Sequence, residues 1–111
     1  MHELSITQGI IEICAQHAGS RRVTSLDVEI GELSGVVPDA MEFCFEACSQ
    51  GTLLEGARLN IIRIPAFGRC DECDYEGPVS SLFDSCTRCG GYRVVLAKGD
   101  EMRVREIEVE E

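Results

Sequence analysis

The sequence predicts an α+β fold: a three-stranded sheet packed by two helices, with an inserted four-cysteine module late in the chain. Three observations carry this. Two stretches repeat their apolar residues at helical spacing, and three others alternate as half-buried strands do. Between the second and third of those strands lie two Cys-x-x-Cys pairs, Cys70/Cys73 and Cys86/Cys89, separated by twelve residues. Two such knuckles can point four thiolates at one tetrahedral centre, the arrangement of structural Zn²⁺. The chain has 111 residues, enough for one domain and a satellite. Residues 1–66 and 99–111 are expected to form one discontinuous α/β domain, and 67–98 a zinc-ribbon domain inserted into it.

The first helix is expected from about residue 3 to 18. Leu4, Ile11, Cys14, Ala15 and Ala18 fall on or near one face, widened by Ile6, Ile10, Ile13 and His17. Gly19 suits a C-terminal stop, and Arg21 and Arg22 complement the negative end of the helix dipole. Val23 to Leu33 reads as a strand, since Leu26, Val28 and Ile30 alternate with Asp27, Glu29 and Gly31. Pro38 to Gln50 reads as the second helix, with Pro38 at its first position and Gly51 beyond its end. Its buried stripe is expected to be Met41, Cys44, Phe45 and Cys48.

Ala57 to Ile64 reads as a strand with Leu59 and Ile61 on one face, ended by Pro65. The cysteine module follows. Its twelve-residue spacer has room for a strand, a turn and a return strand, and Gly90 and Gly91 supply the positive φ a tight knuckle needs. Tyr75, Val79, Leu82 and Phe83 are expected to be its small core, too little to fold without the metal. Met102 to Val109 reads as the last long strand. Its apolar residues change phase between Val104 and Ile107, which a bulge near Arg105-Glu106 would reconcile. The module's two ends are expected to leave and rejoin neighbouring strands.

A net charge of −10 argues against a nucleic-acid surface. Within the ribbon, Asp71, Glu72, Asp74, Glu76 and Asp84 outnumber Arg69 and Arg88. No apolar run is long enough to span a membrane, and the N-terminus lacks the pattern of a signal peptide. Seven cysteines suit a zinc site and three reduced thiols better than a disulfide framework, so the expected location is the cytoplasm.

Three groups outside the ribbon bear on chemistry. Cys14 and His17 could touch on the first helix, but no third group or oxyanion site accompanies them, and a core cysteine with a helix-end histidine is the simpler reading. Cys44 and Cys48 read as core thiols. The third group is Met1-His2-Glu3. An α-amine, the His2 amide and the His2 imidazole can close two fused chelate rings on one ion, and the Glu3 amide would complete a square plane. Square-planar nitrogen sites suit Ni²⁺ or Cu²⁺. The first amides of a helix have no intrahelical acceptor, so losing their protons breaks no helix hydrogen bond.

Met1-His2-Glu3, Gly31-Glu32-Leu33-Ser34, the four-cysteine ribbon and Gly99-Asp100-Glu101-Met102 together resemble the HypA/HybF family of hydrogenase nickel-incorporation proteins. The resemblance covers essentially the whole chain. It implies a nickel metallochaperone, not an enzyme, which binds Ni(II) at its N-terminus and delivers it for maturation of the [NiFe]-hydrogenase large subunit. The implied partners are a HypB-like GTPase, that large subunit and, in some members, urease maturation proteins, with neither nucleic acid nor membrane. Monomer and homodimer both remain open. The nickel ligands carried over are Met1 (amine), His2 (amide and imidazole) and Glu3 (amide, with its carboxylate as a further donor), and Asp39 is an auxiliary position. The zinc ligands carried over are Cys70, Cys73, Cys86 and Cys89. Some relatives place a histidine just after a cysteine pair; here Asp74-Tyr75 and Gly90-Gly91 stand there. The rival reading is a zinc-ribbon adaptor with no nickel site of its own.

Overall fold

The computed structural model describes residues 2–81 and 85–111; Met1, Leu82, Phe83 and Asp84 lie outside the described residues. The first sheet contains β1 (Val23–Gly31), β2 (Arg58–Ile64) and β6 (Met102–Val109), and the helices are α1 (Glu3–Ala18) and α2 (Pro38–Cys48). The sheet order is β2-β1-β6, with β2 parallel and β6 antiparallel to β1. The most apolar strand therefore takes the centre. Leu26, Val28 and Ile30 are at most 1% exposed, and they form the floor on which Ile10, Ile11, Cys14, Met41 and Phe45 of the helices pack.

The phase change in β6 is resolved by the expected bulge. Asp27 pairs with Glu106 and Val28 with Val104, which leaves Arg105 as the extra residue. Met102, Val104, Ile107 and Val109 consequently all pack against the core. On the sheet face away from that core, Arg103 donates to the carboxylate of Glu29, its cross-strand neighbour.

Some expectations about facing need correction. Leu4 and Ile13 are 53% and 50% exposed, and His17 is exposed. Ile13, Cys14 and His17 line a cleft against Val104 to Ile107 of β6. Because β6 is an edge strand, no described strand lies beyond it to cover that flank of α1. Thr7, unremarkable in the sequence, is buried because its hydroxyl donates to the Glu3 carbonyl, 2.6 Å away, one helical turn back. Cys44 and Cys48 are half-buried, while Met41 and Phe45 carry the buried face of α2. Leu54 is fully buried although it lies in the turns between α2 and β2. The first strand ends at Gly31, two residues early, because Gly31 to Ser34 closes a turn.

The second sheet, of order β4-β3-β5, is antiparallel and contains β3 (Phe67–Cys70), β4 (Glu76–Pro78) and β5 (Val94–Lys98). Among the described residues the spacer between the cysteine pairs supplies one strand, β4, not a strand and its return. Its partner β3 precedes the first pair. The expected core residues Tyr75 and Val79 are half-buried, Tyr75 lying against Gly77; Leu82 and Phe83 lie outside the described residues. The insertion leaves from β2 and returns to β6. Neighbouring strands were expected here, but β2 and β6 are the two edges of the first sheet, with β1 between them. The molecule measures 53 × 25 × 17 Å, so the ribbon extends from the end of the sheet.

At that end the turn after β1 grips both connections to the ribbon. The Gly31 amide donates to the Glu101 carbonyl (2.7 Å), Glu32 to Ile64 (2.8 Å) and Leu33 to Gly99 (2.7 Å). A side chain at Gly31 would collide with the Gly99 carbonyl, and Gly99 itself has φ +118° beside Ala66. Gly31→Ala is therefore expected to destabilise the protein by about 1–3 kcal/mol through overpacking. Urea unfolding of the zinc-loaded protein checks this, and an unchanged midpoint would contradict the contact.

Candidate metal centres

The two cysteine pairs fold into the same knuckle twice. The Cys70 amide donates to the Tyr75 carbonyl, and the Asp74 amide to the Cys70 carbonyl. In the second knuckle Cys86 donates to Gly91, and Gly90 to Cys86, at matching positions. The residue after each pair must then adopt the left-handed conformation: Gly90 has φ +76°, and Asp74 has φ +61°. Asp74 is the one described non-glycine residue with positive φ. Asp74 and Gly90 are thus the turn residues that close the knuckles.

The four sulfurs lie within 4.8 Å of one another. Cys70 and Cys89 are 3.7 Å apart, as are Cys73 and Cys86. Sulfurs about 2.3 Å from one tetrahedral zinc stand about 3.8 Å from each other, which the Cys70–Cys89 and Cys73–Cys86 pairs match. Backbone amides also point at the sulfurs: Arg88 donates to Cys86 and Gly91 to Cys89, each at 3.4 Å, and Tyr75 donates to Cys73. Such donors favour thiolate. Cys86, reached by the amides of Cys89 and Arg88, is held down to about 7. Cys89 is pushed up to about 12: the Gly91 amide lowers it, but desolvation and the sulfurs of Cys70, Cys73 and Cys86 outweigh that donor. Four sulfurs this close need a cation among them before all can ionise, and Zn²⁺ supplies it.

The N-terminal group is placed by α1. His2 is the N-cap, exposed, and its carbonyl accepts from Ile6 at 3.1 Å. Glu3 opens the helix. Among the described residues neither the His2 nor the Glu3 amide has a backbone acceptor, and the Glu3 amide donates to the carboxylate of its own side chain. The Glu3 carboxylate turns away along α2 and accepts the Val37 amide at 3.1 Å. That amide, first among several donors and charges, holds its carboxyl below the ordinary range. Asp39 is exposed in the first turn of α2, two residues beyond Val37. The structure thus brings Glu3 to the helix turn that carries Asp39, while Met1 lies outside the described residues. Six residues, 32–37, join the end of β1 to α2, so this group and the ribbon lie toward the same end of the first sheet.

The other thiols have no such company. Cys14 is 1% exposed, burial pushes its pKa up, and no hydrogen bond joins it to His17. Among the described residues, Cys70, Cys73, Cys86 and Cys89 are the one close group of metal-ligating side chains.

The family model for HypA, described as hydrogenase/urease nickel incorporation metallochaperone, matches residues 1–109. The chain belongs to the HypA family. A hydrogenase maturation factor HypA of Geotalea uraniireducens (strain Rf4) is 58% identical over 110 residues, covering 99% of this chain and 100% of its own length. The HypA of Trichodesmium erythraeum (strain IMS101) is 47% identical across 100% of this chain and 97% of its own. The solution structure of the nickel metallochaperone HypA from Helicobacter pylori superposes with a TM-score of 0.70 at 25% identity, covering 98% of this chain and 97% of its own. The HypA family thus accounts for both helices, both sheets and the cysteine cluster.

The junction residues were not legible as such. Gly31-Glu32-Leu33-Ser34 and Gly99-Asp100-Glu101-Met102 marked the family, but their work, gripping the ribbon's two connections, depends on contacts between distant segments. Glu3 was read as a ligand, and its bond to Val37 had no sequence signal. The knuckle geometry makes a prediction of its own. Asp74→Gly should retain zinc and stabilise the protein by about 1 kcal/mol, because glycine carries no penalty in the left-handed region. Zinc stoichiometry and the unfolding midpoint check this; a lower midpoint would show that the Asp74 side chain contributes more than its backbone costs.

Proposed function

We propose that this chain is a nickel metallochaperone, not an enzyme, that carries Ni(II) at its N-terminus and hands it on for maturation of [NiFe]-hydrogenase. The observation that carries the reading is the pair of amides without a backbone acceptor at the start of α1, beside the exposed His2 imidazole, in a member of the HypA family. The α-amine of Met1, the amide and imidazole of His2 and the amide of Glu3 form a square of nitrogen donors suited to Ni²⁺. Losing protons from these amides costs no backbone hydrogen bond. The helix start repels a cation, and the anionic amides offset that. Asp39, in the first turn of α2, is an auxiliary carboxylate for cargo in transit.

Zn(II) is structural in this reading. Cys70, Cys73, Cys86 and Cys89 would hold it and fold residues 67–98 as an inserted domain, the remainder, 1–66 and 99–111, forming the nickel-carrying domain. Four thiolates leave zinc no open position for a substrate, so the cluster is not a catalytic centre. The division of labour follows from exposure. The thiolate set is gripped from both sides by two knuckles, with Cys70 and Cys86 buried, whereas His2 stands at an exposed helix start from which an ion can be taken. A HypB-like GTPase and the hydrogenase large subunit are the proposed partners, urease maturation a further destination and the cytoplasm the location. The described residues contain no helix long and apolar enough to cross a membrane.

Nickel titration of zinc-loaded protein with a native N-terminus tests this. One Ni²⁺ is expected to bind per chain. His2→Ala, or an added N-terminal residue that removes the α-amine, should each abolish stoichiometric binding and leave zinc content unchanged. Stoichiometric binding that survives both changes would place the nickel site elsewhere.

A further inference from the structure

We propose that the Glu3 carboxylate is a positioning group, not a nickel ligand: it caps the start of α2 from α1 and so fixes the first turn of α1 for chelation. The inference rests on the N-terminal nickel site proposed above and assigns the one donor which that reading left open.

The geometry is that of a capping box built across two helices. In the usual box, a Glu or Gln at the third helical position reaches back to the amide of its own N-cap residue. In α2 the N-cap is Val37, which has no polar side chain, and no side-chain cap is made there. The third helical position is Ala40, which cannot accept a hydrogen bond. The Val37 amide is satisfied instead by Oε2 of Glu3, 3.1 Å away and 34 positions earlier in the chain. The Val37 carbonyl meanwhile accepts from Met41 at 3.0 Å, so the bonded residue is the hinge between loop and helix.

Glu3 is tied at its other end as well. Its carbonyl accepts from the hydroxyl of Thr7, which is 1% exposed and locked in the core. The first residue of a helix normally frays. Here it is anchored to the core through its backbone and to α2 through its side chain. The consequence falls on the groups proposed to chelate. The backbone of residues 2 and 3 is held in one conformation, which lowers the entropy lost when a chelate ring closes. The same bond ties Glu3 to the helix start that carries Asp39. The carboxylate accepts from Val37 and from the amide of its own residue, so Glu3 is left with its main-chain nitrogen, once deprotonated, as its nickel donor.

The test uses full-length, zinc-loaded protein and Ni²⁺ alone, followed by absorption and circular dichroism in the nickel d–d region. Glu3→Ala should weaken nickel binding on the order of tenfold, the scale of one charge-assisted hydrogen bond. Glu3→Gln should recover most of that loss, because its amide oxygen still accepts from Val37. Val37→Pro removes the donor and leaves Glu3 and the N-terminus intact, and it should match Glu3→Ala. The d–d spectrum of bound nickel should be the same in all three variants.

Equal weakening in Glu3→Ala and Glu3→Gln would overturn the inference, and with a changed d–d spectrum it would make the carboxylate a ligand; parent-like binding in Val37→Pro would overturn it by showing that the bond to Val37 does not position the site. Parent-like affinity in Glu3→Ala would overturn it too. If Val37→Pro does not fold, the contrast between the two Glu3 variants decides alone. His2→Ala keeps the two failures apart: undiminished binding in that variant would remove the nickel site itself, and the inference with it.

Discussion

The structure depends on one close backbone approach. Gly31 ends the central strand of the first sheet, and Gly99 ends the return from the ribbon. They meet with no room for a side chain between them. That approach lets three successive amides, of Gly31, Glu32 and Leu33, bond to Glu101, Ile64 and Gly99 on the two connections. The Glu101 carboxylate accepts the Gly99 amide at 2.8 Å and steadies the return. Without this clasp the ribbon would hang on two short connections. With it, the end of β1 is committed, and the loop 32–37 delivers α2 at a fixed point. The start of α2 in turn receives Glu3. A backbone contact between two glycines is thus linked, in a few covalent and hydrogen-bonded steps, to the placement of the N-terminus.

The two candidate metal centres are opposite solutions in coordination chemistry. Between residues 67 and 98 the buried apolar side chains among the described residues are Cys70 and Cys86, and the knuckles aim amides at sulfurs. Such a module folds around its metal, and the binding energy is folding energy. The N-terminal group needs no metal to form. It sits on a helix whose stability comes from Ile10, Ile11, Cys14 and Ala18 in the core, so the ion proposed to bind there would arrive and leave without unfolding the helix. A carrier of cargo needs that separation: one metal that cannot be given up and one that can.

Much of this was legible in the sequence because period and spacing are local. The stripe of α2, the alternation in β1 and the two cysteine pairs each declare themselves within a short window. Even the β6 bulge was legible, since an apolar phase change within one strand leaves few other ways to keep both halves on the core. What was hidden depends on segments far apart. Leu4 belongs to the helical stripe by spacing, yet it is exposed. Ile13 is exposed because β6 is an edge, which follows from strand order and not from any residue in α1. The ribbon's attachment to opposite edges of the sheet follows from that same order. Leu54 is core although its neighbours spell a loop. The bond from Glu3 to Val37 replaces a cap that α2 could not make for itself, and only the packed pair of helices reveals it.

The central claim is that one chain holds two metals in two chemically unlike sites. X-ray absorption at the nickel and zinc edges of one doubly loaded sample tests it most directly. The account predicts zinc surrounded by four sulfurs at about 2.3 Å. It predicts nickel in a square plane of nitrogen donors that includes one imidazole, with no sulfur in its first shell. Nickel–sulfur scattering, or a zinc shell that loses sulfur when nickel is added, would contradict it.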